Sequence, residues 1–274
     1  MPPTVSVTPR GRMLALTEPR RIVCDLLHFA RQVPSVPVQR RMRLSTVRQA
    51  RRRHPDRPSW VSLFTKAFAL VAAEMPPLRR AYLGFPRPRL YEHPESVGSI
   101  AVERDWNGEP GVFFGQLGAP DRRPIMEVDA YVRRLKTAPL DHVPNFRRVL
   151  RVARLPATLR RLVWWYGLNA SGRKRASLFG TYAVSVYSSL GADSLHPLAP
   201  LTTVLNYGPI GADGLADVRL VYDHRVMDGA TVARALTALE EMLNGPIRSE
   251  LLEAETFGPS FPGPLAPRPE ELTR

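Results

Sequence analysis

Between residues 218 and 243 the hydrophobic pattern changes period, and that change dictates how the end of the chain must fold. Val218, Leu220 and Tyr222 alternate as in a strand with one buried face. Val232, Ala233, Leu236, Leu239 and Leu243 recur at helical spacing. The junction reads Tyr222-Asp223-His224-Arg225-Val226-Met227-Asp228-Gly229-Ala230. A histidine stands where a strand stops, with an aspartate four residues later and a glycine behind it. Side chains at such junctions are aimed by a rigid element yet stay accessible, as catalytic groups need to be. Two readings stand side by side: Asp228 as a helix N-cap beside an ordinary hydrogen-bonded His224, or the pair as the centre of an active site.

The rest of the chain divides into elements by the same test. Apolar spacing predicts helices over 19–31, 59–75, 126–136 and 230–243, with Ser59 capping the second and Asn244-Gly245-Pro246 ending the last. A shorter basic helix is expected just before the loop at 51–55. Strands are expected over 36–44, 97–103, 111–117, 181–187, 201–207 and 215–222, and Asn107-Gly108 supplies a hairpin turn. Residues 82–91 read as a Pro- and Arg-rich connection. Residues 1–18 form a lead-in, 19–250 a single domain and 251–274 a Pro-rich tail.

The segment 139–178 is the least ordinary. Phe146, Val149, Leu150, Val152 and Leu155, then Leu159, Leu162, Val163, Trp164, Trp165 and Tyr166, are interleaved with Arg147, Arg148, Arg160 and Arg161 and broken by Pro156. It reads either as a helical hairpin with its Leu/Val/Trp face on the core, or as an interfacial surface for an anionic membrane.

Charge narrows the partners. The formal net charge is +14, carried mostly by arginine, since Lys66, Lys136 and Lys174 are the only lysines. Anionic partners follow: an acidic carrier protein, a phosphorylated cofactor or an acidic membrane. No nucleic-acid motif accompanies the charge, so no nucleic-acid partner is expected. Cys24 is the single cysteine, which excludes an intramolecular disulfide, and it reads as a core residue of the first helix. No apolar run is long enough to span a bilayer. A cytoplasmic protein is expected, with a peripheral membrane contact as the variant, and no metal is expected.

The string 223–230 resembles the active-site signature of the dihydrolipoyl acyltransferases of 2-oxo acid dehydrogenase complexes, whose wider superfamily includes chloramphenicol acetyltransferase. Further segments resemble the same family: Pro19-Arg20-Arg21-Ile22-Val23, the apolar helix containing Lys66-Ala67, and Gly180-Thr181-Tyr182-Ala183-Val184-Ser185 followed by Leu190-Gly191. The resemblance spans roughly 19–250. It implies a chloramphenicol acetyltransferase-like α/β fold, a two-layer sandwich of mixed β-sheet and helices, assembled as a homotrimer with active sites between subunits. It also implies coenzyme A or acyl-coenzyme A as substrate.

Roles carry over by position. His224 matches the general base that deprotonates a thiol or hydroxyl acceptor, and Ser185 the hydroxyl that stabilises the tetrahedral oxyanion, with Ser188 and Ser189 as alternatives. Asp228 matches an aspartate that organises the site through an arginine, for which Arg20 or Arg21 is the candidate; Gly229 completes the motif. The chain departs from the family in lacking a recognisable lipoyl domain, so no covalent lipoyl group is expected. It also lacks a subunit-binding domain, and its segment 139–178 is longer and more aromatic. A stand-alone acyltransferase is the first expectation, and a non-catalytic trimeric scaffold that meets a membrane or acidic carrier is the second.

Overall fold

Six of the alternating segments join into one mixed sheet. The computed structural model describes residues 11–257. In chain order it begins with α1 (Glu18–Ala30), β1 (Ser35–Arg43), α2 (Ser45–Arg53), α3 (Trp60–Glu74), β2 (Arg80–Leu83) and β3 (Arg89–Glu92). There follow β4 (Val97–Trp106), β5 (Glu109–Gly118), α4 (Ile125–Thr137), α5 (Pro144–Ala153), α6 (Ala157–Asn169) and α7 (Gly172–Phe179). The chain then runs through β6 (Tyr182–Val184), β7 (Thr203–Tyr207), β8 (Leu215–Asp223), α8 (Gly229–Met242) and α9 (Arg248–Phe257).

The large sheet has the order β1-β8-β7-β6-β4-β5, while β2 and β3 pair separately. β6 runs parallel to both β4 and β7, and the other neighbours are antiparallel. Alternation along the strands assigns two faces. Tyr182 and Val184 of β6, Leu205 and Tyr207 of β7, and Val218, Leu220 and Tyr222 of β8 enter the main core with α2, α3, α8 and α9. Phe64 of α3 stacks on Tyr207 with centroids 4.1 Å apart, and each buried aromatic of this kind contributes about 1.5–3 kcal/mol. Ala183, Val204 and Val221 point to the other face. The β5 edge is closed by α1 and α5, whose Ile22, Phe29, Phe146 and Leu150 pack with Phe113 in a second core.

Buried charges tie the outlying helices down. Arg160 of α6 pairs with Asp25 of α1, one of its contacts being Nη2 to Oδ1 at 3.3 Å, and both side chains are almost fully buried. On the other side Lys66 of α3 pairs with Glu250 of α9, whose Oε1 also accepts the Ile125 backbone N–H at 2.6 Å.

Most predicted elements form, and the differences have local causes. The helix expected to stop at Asn244-Gly245-Pro246 instead passes through one wide π-turn, Leu243–Ile247, and continues as α9. Pro246 cannot donate a backbone hydrogen bond, and a widened turn tolerates that loss. Residues 251–257 are therefore helix rather than tail, anchored by buried Leu251; the remainder of the expected tail and residues 1–10 lie outside the described residues. The connection 82–91 contains most of the β2–β3 hairpin, in which Ala81 and Leu83 are buried. Segment 139–178 forms three main helices, not a two-helix hairpin. α7 was hidden because it opens on Gly172, where the Tyr91 ring occupies the space of a Cβ. Cys24 is exposed, not core.

Removing one partner of the Arg160–Asp25 pair leaves a buried charge uncompensated. Asp25→Ala is expected to cost about 3–5 kcal/mol in urea unfolding, and Asp25→Leu combined with Arg160→Met much less than that.

Candidate functional site

The end of β8 is built to hold one imidazole still. Asp223 donates its backbone N–H to Thr202 O at 2.9 Å, and His224 donates its own to Pro34 O at 3.1 Å. The Asp223 carboxylate is buried and accepts three hydrogen bonds from Arg225: backbone N at 3.0 Å, Nε at 2.9 Å and Nη2 at 2.7 Å. The Arg225 guanidinium in turn lies 4.1 Å from the centroid of the Tyr82 ring. Both residues flanking His224 are thus locked, and its side chain, 50 % exposed, projects from the turn beside the Tyr222 ring. The sequence reading gave Arg225 no task. Its signal was the acid two residues earlier, across the histidine.

Asp228 occupies the N-cap position of α8, and its carbonyl accepts from Thr231 N and Val232 N, but its carboxylate makes no capping hydrogen bond. The carboxylate is instead 85 % exposed, with Oδ1 3.6 Å from His224 Nδ1. That separation is beyond the range of a good hydrogen bond. Gly229 opens α8 without a left-handed φ, and a Cβ there would come 3.4 Å from the Tyr222 hydroxyl.

The two candidate arginines are elsewhere. Arg20 pairs with Glu109 at 3.4 Å, and Arg21 donates through Nε to Leu16 O. Both belong to α1 at the β5 edge, four strand spacings from β8, or about 19 Å across the sheet. Neither meets Asp228 within the chain.

Ser185 directly follows β6, and its N–H donates to Leu205 O at 3.1 Å, continuing the ladder with β7. The register Tyr182↔Thr203 places Ser185 opposite Asn206, which pairs with Arg219 of β8. His224 lies five residues beyond Arg219, so the two candidates are separated by about 17 Å of strand rise. Within one chain they do not meet. The Ser185 hydroxyl makes no hydrogen bond among the described residues, whereas Ser188 stands near the buried Tyr207 hydroxyl and Ser189 is exposed. Beside Ser185, Asn206 Nδ2 donates to the Ser185 carbonyl at 2.5 Å, its Oδ1 is buried without a partner, and Arg219 pairs with Asp193.

Behind the histidine turn lies a buried basic layer. Arg175 of α7 donates to Leu168 O and Pro200 O, and burial lowers its pKa to about 10 against the opposing pull of Asp223. Burial, reinforced by Arg175 and Arg79, lowers the pKa of His93 to about 4, which keeps it neutral at physiological pH. Among the described residues no group of three or more His, Cys, Asp or Glu could hold a metal ion, and no helix is long and apolar enough to cross a membrane.

No protein-family model matches the chain, and no curated protein sequence matches it. Solved structures do. Dihydrolipoamide acetyltransferase from Azotobacter vinelandii superposes with a TM-score of 0.65 at 20% identity, over 92% of this chain and 100% of that one. A probable dihydrolipoamide acetyltransferase from Listeria monocytogenes gives 0.62 at 16%, over 85% and 94%. The truncated catalytic core of the 2-oxoacid dehydrogenase complex from Thermoplasma acidophilum gives 0.62 at 17%, over 86% and 99%. The chain therefore has the fold of these catalytic cores, with the mixed β-sheet and helices expected from sequence. The Azotobacter protein has been investigated for the catalytic role of a serine, a histidine and an asparagine four residues after that histidine.

The turn separates positioning from presentation. Arg225→Leu strips side-chain donors from a buried carboxylate and is expected to cost roughly 2–4 kcal/mol in urea unfolding. His224→Ala, at an exposed side chain, is expected to stay within about 0.5 kcal/mol of the parent.

Proposed function

We propose that the protein is a coenzyme A-dependent acyltransferase in which His224 is the general base and Ser185 of a neighbouring copy supplies the oxyanion donor. The observation that carries this reading is a half-exposed histidine, fixed on both sides by the Asp223–Arg225 lock, at the end of a central strand of an acyltransferase fold. The His-x-x-x-Asp spacing parallels the histidine and asparagine studied in the Azotobacter enzyme. The distance from Ser185 within one chain favours assembly across copies, for which a homotrimer is the simplest form. Exposed Tyr187, Leu190, Leu195 and Leu198 lie on the segment after Ser185 and would be covered in such an assembly.

The chemistry needs these groups for definite reasons. An acceptor thiol with a pKa of about 8.5 is mostly protonated at neutral pH, so its proton must be removed as it attacks. His224 Nε2 takes that proton while Nδ1 faces Asp228. The sulfur adds to the thioester carbonyl, and the resulting oxyanion accepts the Ser185 hydroxyl. Collapse breaks the bond to the coenzyme A sulfur, and His224 returns the proton to that leaving thiolate. A hydroxyl acceptor would follow the same course. Arg20 and Arg21 enter this scheme only as partners of Asp228 from an adjacent copy.

A second reading has its own observation. Residues 142–192 contain nine Lys or Arg and no Asp or Glu, and α6 exposes Leu159, Leu162, Val163, Trp165 and Tyr166. Arg160 and Arg175 are buried, but the other seven are exposed, and such a basic segment with exposed aromatics suits an anionic membrane, whether or not the protein is catalytic.

Free thiol released from acyl-coenzyme A in the presence of dihydrolipoamide, or of a lipid or carrier acceptor, tests the first reading. His224→Ala is expected to lower the rate roughly 10²–10⁴-fold and Ser185→Ala roughly 10²–10³-fold. Full activity in His224→Ala would eliminate the mechanism. For the second, the protein should sediment with phosphatidylglycerol-containing vesicles, and neither with phosphatidylcholine vesicles nor after replacement of Arg147, Arg148, Arg161 and Trp165. Absence of any vesicle binding would remove it.

A further inference from the structure

On the sheet face that carries Ala183, a cavity of about 120 Å³ opens beneath α1, α5, α6 and α7. Its walls are apolar: Phe114 of β5, Val149 and Val152 of α5, Trp164 of α6, and Phe179 of α7. Arg148 stands at its mouth, and the three other polar side chains that line it satisfy one another. Gln116 Nε2 donates to Ser99 Oγ at 3.3 Å, and Asn145 Nδ2 donates to Gln116 Oε1. The cavity runs from Ala183 on the sheet to Val163 and Arg148, both exposed, between α5 and α6. With Ser99, Gln116 and Asn145 paired to one another, the apolar interior behind the mouth offers water little to bind.

Its position relates it to the chemistry. Tyr182 and Val184 point into the main core, so alternation puts Ser185 on the face of Ala183, two residues and about 7 Å further along the strand. That end of the face is polar: the free Ser185 hydroxyl, the buried and unpartnered Asn206 Oδ1, and the Arg219–Asp193 pair. A polar end about 7 Å from an apolar cavity matches a ligand with a carbonyl head and a short hydrocarbon tail. Most of the roof comes from α5–α7, within the segment where the chain departs from the family it resembles.

Resting on the assignment of Ser185 made above, we infer that this cavity is the acyl-chain pocket and that the transferred group is a short or branched apolar acyl chain rather than acetyl. An engineered apolar cavity of about 150 Å³ holds benzene, so one slightly smaller suits a tail of about four to six carbons. Longer chains emerge between Val163 and Arg148 and gain nothing further.

Binding of S-acyl-N-acetylcysteamine thioesters to the full chain by isothermal titration reads the pocket without requiring turnover. Affinity should rise roughly fourfold per methylene from acetyl to pentanoyl, then level off towards decanoyl. Val152→Phe on α5 and Ala183→Leu on β6 fill the cavity from opposite sides, and each should flatten the series while leaving acetyl binding unchanged. Two variants on different elements guard against misfolding in one, and circular dichroism verifies each. A flat series in the parent protein, or a rise that survives in both folded variants, would overturn the pocket. A chain-length series without thiol transfer would keep the pocket and discard the acyltransferase reading. Turnover of all thioesters with equal kcat/KM would do the reverse.

Discussion

The whole candidate site hangs on a buried carboxylate and the arginine two residues after it. Asp223 ends the β8 ladder in a place without solvent, where an unpaired charge would be very costly. Arg225 supplies three hydrogen bonds and is itself braced over Tyr82. The residue between them has no freedom to turn its backbone, so the imidazole leaves the sheet in one direction. Hydrogen bonds from a guanidinium to a buried carboxylate are among the strong ones, and here they tie the turn to the strand that leads into it.

Sheet topology then sets what the histidine can reach. Because β7 is antiparallel to β8 and parallel to β6, the end of β6 lies far from the end of β8. Ser185 and His224 consequently sit at opposite ends of the same three strands. A strand order with β6 antiparallel to β7 would have turned the end of β6 towards His224; the observed one leaves the two candidate residues facing different ways. In the proposed assembly a partner copy would bring them together.

The sequence made local features visible and left distant ones hidden. The β8–α8 junction was readable because its two hydrophobic periods meet within nine residues, and the Asn107-Gly108 hairpin because both residues adopt the positive φ that turn demands. Arg160 looked like one of many surface arginines, since nothing near it in the chain announces Asp25, 135 residues away. The amphipathic reading of α6 was half right. Trp164 and Leu168 face the core, while Leu159, Leu162 and Trp165 do not. Gly245-Pro246 looked like a helix stop, and only the burial of Leu251 with the Lys66–Glu250 pair explains why the chain continues helical. The separation of Ser185 from His224 is a matter of strand register, which a linear motif does not contain.

The most direct measurement is subunit complementation. His224→Ala and Ser185→Ala proteins are each purified, mixed, dissociated and allowed to reassemble, and acyl transfer is then assayed. A site built from two copies predicts that the mixture recovers a substantial fraction of parental activity, because some interfaces in the mixed assemblies pair an intact His224 with an intact Ser185. If the mixture stays as inactive as its components although mixed assemblies have formed, the shared His224–Ser185 site is contradicted.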